Sequence, residues 1–127
     1  MRAIAWTTAV SLALILALGL GCGAYSRGVS REFTEGLRAA EENIQSEAWD
    51  KALSSAEGMK KAWEEKAELL SLWVNHAAVD EVTVAFSQLR VAVSQKEACH
   101  ALLFAAQLRE ALALIDSQDA FALKNVF

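Results

Sequence analysis

The chain has 127 residues, is 54% hydrophobic, contains no proline and carries a formal net charge of −4. So high an apolar fraction excludes a disordered chain. The acidic balance excludes nucleic acid as a partner, because phosphate binding requires clustered Lys and Arg.

The charge is unevenly distributed. No charged side chain lies between Ala3 and Ser26, and all 16 acidic residues and 11 of the 12 basic ones follow that stretch. A helix rises about 1.5 Å per residue and a bilayer core is about 30 Å thick, so the stretch from Ala3 to about Tyr25 is long enough to cross it. A helix apolar on every side has no solvent face in a small soluble domain. Residues 1–26 are therefore expected to be a signal anchor. A cleaved signal peptide ending in the small residues before Tyr25, or a lipoprotein signal acylated at Cys22, would place residues 27–127 on the same side. Counting Arg2 before the span against Arg27 and Arg31 after it favours the reverse orientation. A very short leader ahead of an apolar run behaves as an export signal, and the expectation is that residues 27–127 lie outside the cytoplasm.

The rest reads as helix almost throughout. A first amphipathic helix is expected from a Ser30 cap to about Ile44, with Phe33, Leu37, Ala40 and Ile44 on one face. Ser46 offers an N-cap for a second, whose inward face would hold Trp49, Leu53, Ala56, Met59, Trp63 and Ala67. Its outer face suggests (i, i+4) pairs such as Glu57–Lys61. A turn is expected near Ser71–Asn75, with either residue as a cap. The third helix carries His76, Val79, Val82, Phe86, Leu89 and Val93, a 3-4 spacing that favours helix over strand despite the β-branched content. Ser94 and Glu97 fit a capping box opening a fourth helix that runs to Ile115. Asp116–Asp119 reads as a turn, and the closing apolar segment would dock back on the bundle. The fold class is thus all-α, an N-terminal transmembrane or signal-anchor helix followed by an up-down bundle of about four helices.

A Trp-Ala pairing (Trp49, Ala52), a later Trp63, a third Trp ahead of a His-x-x-hydrophobic-Asp element (Trp73, His76, Val79, Asp80) and a terminal Leu-x-Asn-hydrophobic-Phe (Leu123, Asn125, Val126, Phe127) occur in that order. In this the chain resembles a bacterial envelope family, domain-of-unknown-function family 4363. Ala77–Ala78 and Leu114 depart from the charged or polar positions of that pattern. The resemblance implies membrane attachment and a helical fold, and implies no reaction.

His76 and Asp80 are the conspicuous polar pair, four apart in an apolar segment. Catalysis would need a Ser or Cys nucleophile in a shaped turn, and Ser54, Ser55, Ser71, Ser87 and Cys99 sit in none. A metal site would use His76 and Asp80 with His100, although a structural zinc takes four ligands and a catalytic one three. A haem would need His76 and His100 as its two axial ligands, without any attachment motif. The expected role is an interior polar clamp, with His76 bonded to Asp80 or to a neighbouring helix or Trp indole, fixing the register of a bundle built from Leu and Ala. Trp49, Trp63 and Trp73 are expected in the core, Trp6 at a membrane interface, and Cys99 as a buried thiol that forms no disulfide with Cys22. The function expected is non-enzymatic and without a cofactor: a membrane-anchored accessory protein of the cell envelope, contacting the lipid bilayer and an envelope protein partner. The alternative is a metal- or ligand-binding sensor using His76 and Asp80.

Overall fold

The computed structural model describes the backbone of residues 1–126 and the side chains of residues 1–116. It contains four helices, α1 (Arg2–Gln45), α2 (Trp49–Leu70), α3 (His76–Ser94) and α4 (Ala98–Val126). α1 packs against α2 and α4, and α3 packs against the same two. With connections this short, consecutive helices run antiparallel, and the result is the expected up-down bundle.

The length of α1 is the main departure from expectation. It is one uninterrupted helix of 44 residues, about 66 Å long. Ser30 therefore caps nothing. No residue before Gly23 is buried, whereas Gly23, Ser26, Ser30, Phe33, Leu37, Ala40 and Ile44 all are. These positions alternate in steps of three and four, so the inward stripe runs back through small residues into the uncharged stretch. The Ser30 hydroxyl, free of any capping duty, donates to the Leu112 carbonyl of α4 at 3.1 Å.

The α1–α2 and α3–α4 turns are built alike, and neither uses the expected serine cap. At the first, Glu47 has φ 61°, its N–H bonds the Ile44 carbonyl, and the Ala48 N–H bonds the Asn43 carbonyl. At the second, Lys96 has φ 59°, its N–H bonds the Val93 carbonyl, and the Glu97 N–H bonds the Ala92 carbonyl. Both are Schellman motifs with a non-glycine residue in the left-handed position. Ser46 is thus the C-cap of α1, and Ala48 precedes α2 with no side-chain cap. Ser94 ends α3, its hydroxyl donating to the Val91 carbonyl at 2.7 Å in place of a capping box. The α2–α3 turn follows expectation: Ser71 is the C-cap of α2, and Asn75 caps α3 by accepting from the Ala77 N–H at 2.8 Å. α4 continues through Asp116–Asp119 as helix, where a turn was expected. The docking expected of the segment after it, including Leu123–Phe127, lies outside the described side chains.

The core is aromatic at its centre. The Phe33, Trp63 and Phe86 rings, one each from α1, α2 and α3, meet at centroid distances of 5.6, 5.7 and 6.1 Å. α3 adds Val79, Val82, Leu89 and Val93, and α4 adds Ala101, Ala105, Leu108, Leu112 and Ile115. Burying each large side chain contributes roughly 1.5–3 kcal/mol. Surface ion pairs cross three seams: Lys66–Glu32, Arg90–Glu57 and Arg109–Glu41. Glu57 thus reaches Arg90 of α3 instead of Lys61, and the (i, i+4) pair on α2 is Lys60–Glu64. Such exposed pairs contribute about 0–1 kcal/mol each.

Candidate functional site

His76 and Asp80 do not form the interior clamp. His76 is the first residue of α3 and Asp80 lies one turn on; both are exposed. Among the described residues, neither side chain has a hydrogen bond or an ion pair. His76 does fall on the inward stripe, three before Val79, but at the helix end, where it is exposed. Asp80 is one residue beyond Val79 and so about 100° around the helix from it. There it lines an open groove between α3 and α4 with Glu81, Gln88, Gln107 and Glu110.

His100 lies in the first turn of α4, beside Val91 and Ala92 towards the opposite end of α3 from His76, about 22 Å away along the helix axis. One metal ion or one haem cannot take both. Among the described residues no group of three or more His, Cys, Asp and Glu side chains has metal-binding geometry. His100 instead pairs its Nδ1 with Glu97 Oε2 at 3.0 Å and stacks on Phe104. Cys99, expected inside, is exposed, because it stands two residues before buried Ala101 and so on the opposite face. Cys22 is half-buried where the apolar stretch of α1 meets the bundle, and both thiols are free.

The polar clamps inside the bundle are made by tryptophan, serine and threonine. Trp63 is fully buried, and its indole N–H donates to Thr83 Oγ1 on α3 at 2.9 Å. The Trp73 indole N–H donates to Ser26 Oγ on α1 at 2.9 Å, while its ring meets Tyr25 edge-on at 5.8 Å. With Ser30 on the Leu112 carbonyl, these bonds tie α2 to α3, the α2–α3 turn to α1, and α1 to α4. Each gives a buried polar atom the partner that burial demands. Ser26 and Ser30 were readable in the sequence as the backward continuation of the Phe33–Ile44 stripe. Ser26 reads instead as the tail of the apolar segment, and Ser30 as a helix cap.

Among the described residues, two regions expose large apolar side chains. On α3 and α4, Val84, Val91 and Leu103 are each about half exposed or more. α4 from Ala98 to Asp116, like α1, is long and apolar enough to cross a membrane by length and composition, but a third of that stretch is buried in the bundle. The second region is the end of the bundle where the α2–α3 turn meets α1. There Leu69 and Trp73 border a groove with Leu14, Leu18, Cys22 and Tyr25.

No curated protein and no solved structure matches the chain. A family match covers residues 25–126, beginning two residues after the first buried position of α1. The chain belongs to the family described as Domain of unknown function (DUF4363).

Proposed function

We propose that this is a non-enzymatic, membrane-anchored accessory protein of the bacterial cell envelope, holding a helical bundle outside the cytoplasm for contact with an envelope protein partner. One observation carries the reading. The uncharged first half of α1 projects from the bundle with its large apolar side chains exposed as far as Leu20, yet continues into the core without a break. Leu12, Leu14, Ile15, Leu16, Leu18 and Leu20 are all exposed there, and a bilayer is the solvent that such a helix fits. The half-exposed Val84 and Val91 of α3 and Leu103 of α4 are the apolar side chains offered to the partner.

The test is flotation of the full chain with phosphatidylcholine vesicles. Wild type floats and resists alkaline extraction. The Leu14→Arg, Leu16→Arg double variant, at about 2.5–3.5 kcal/mol per central charge, does not. Exposed Cys99 reports orientation: an impermeant maleimide labels it in intact cells if the bundle lies outside, and only after lysis if it lies inside. Wild type that stays unbound, or Cys99 protected until lysis, would sink the anchoring or the orientation respectively.

A further inference from the structure

The two ends of the bundle differ in chemistry. The far end carries the turns Ser46–Glu47–Ala48 and Gln95–Lys96–Glu97, which are polar and charged apart from one alanine. The near end carries the turn Ser71-Leu72-Trp73-Val74-Asn75, and the backbone of α4 runs on past it beyond Ile115. At the tip of the turn Leu72 is 77% exposed, and Leu69, one turn earlier on α2, is 44% exposed. Two leucines and a half-buried tryptophan at the tip of a bundle are a costly arrangement in water, since each exposed leucine forgoes the roughly 1.5–3 kcal/mol that burial would provide.

The position of this tip along α1 is fixed. The Trp73 indole bonds Ser26, the Trp73 ring touches Tyr25, and Lys66 pairs with Glu32 further up. The tip therefore stands at the level of residues 22–26. Counted from Ala3, about 20 residues of helix span about 30 Å, the thickness of a hydrocarbon core, so its boundary falls at the same level. Because α1 has no hinge, the tip cannot be held away from that boundary. Leu69 is also continuous with Leu14, Leu18 and Cys22 of the projecting helix, along an apolar groove of about 450 Å³. Tyr25 and Trp73 are the residue types that favour the layer between headgroups and acyl chains.

From this we infer that the α2–α3 turn is a membrane-seating element: Leu69, Leu72 and the edge of Trp73 enter the interfacial layer of the leaflet that α1 leaves. The bundle stands on the lipid surface and is not suspended above it. The inference rests on the anchoring proposed above. Among the described residues the charged side chains near this end, Arg27 and Arg31 of α1, Glu68 of α2, Asp80 and Glu81 of α3 and Asp116 of α4, are of mixed sign with no basic cluster. The seat is therefore apolar and needs no anionic lipid.

The test uses the full chain, with Cys22→Ser and Cys99→Ser, reconstituted in phosphatidylcholine vesicles. An environment-sensitive fluorophore is attached through Leu72→Cys or, as a far-end control, through Lys51→Cys. In chain that floats with vesicles, the label at position 72 is quenched by lipid bearing a shallow nitroxide. It is also shielded from aqueous iodide at least threefold relative to the label at 51, and equally so at low and high salt. Hydrogen exchange gives a label-free check. Vesicles slow exchange of residues 71–75 in wild type, and the Leu69→Glu, Leu72→Glu variant floats but loses that protection. Floating chain whose position 72 is as accessible to iodide as position 51 overturns the seat and leaves the anchor standing. Chain that fails to float overturns the anchor and the seat together.

Discussion

At the residue scale, the polar side chains that matter are those whose partners lie inside. Trp63 is fully buried and bonds Thr83. The Thr83→Val variant keeps the shape but leaves the indole N–H unsatisfied, and should cost about 1–3 kcal/mol in chemical denaturation of the detergent-solubilised chain. His76→Ala and Asp80→Ala change exposed groups and should each stay within about 0.5 kcal/mol of wild type in the same assay. A loss above about 1.5 kcal/mol for either would restore the pair as a structural element. The sequence showed that the pair shared a helix face; it did not show which way that face turned. That depended on His76 being the terminal residue of α3, and on Asp80 lying off the stripe that Val79, Val82 and Phe86 bury.

At the scale of the elements, α3 was legible almost to the residue. Its 3-4 stripe and the Asn75 cap are local signals, and local signals decided its limits. The α1–α2 and α3–α4 turns were harder to read, because their signal is a backbone conformation usually announced by glycine, and here Glu47 and Lys96 adopt it. Serines nearby suggested N-caps, but the chain satisfies the ends of α1 and α3 with Schellman hydrogen bonds between backbone groups. Left-handed backbone costs an L-residue roughly 1–2 kcal/mol, partly offset by the entropy that glycine loses on folding. Glu47→Gly and Lys96→Gly should therefore each stabilise by up to about 1 kcal/mol. Gly58 offers the converse case: it lies inside α2, and an added Cβ meets nothing within 4 Å. Gly58→Ala should stabilise by about 0.5–1 kcal/mol. For all three the measurement is a rise in melting temperature, and a fall would show that the turn or the helix is held by something other than its backbone.

At the scale of the whole molecule, the governing feature is that α1 passes without interruption from an unpacked apolar half to a half packed in the bundle. Composition divides the chain into an uncharged part and a charged part. It does not reveal that one helix serves both, since Gly23 and Ser26 read as the end of the apolar stretch and Ser30 as a helix cap, while all three are close-packing positions in three dimensions. Continuity has a measurable signature. Arg27→Pro removes one helical hydrogen bond and crowds the preceding turn. It should broaden the distance distribution between spin labels attached through Thr8→Cys and Lys51→Cys, which is narrow when the helix is intact; equal widths would mean that the junction already bends. With the bundle seated as proposed, α1 becomes a ruler. From Gly23 to Gln45 it rises about 33 Å. Val84, Val91 and Leu103 then occupy set altitudes within that span, so whatever docks on them must itself keep close to the bilayer and approach from the side, since no slack in the tether lets the bundle reach outward to meet it.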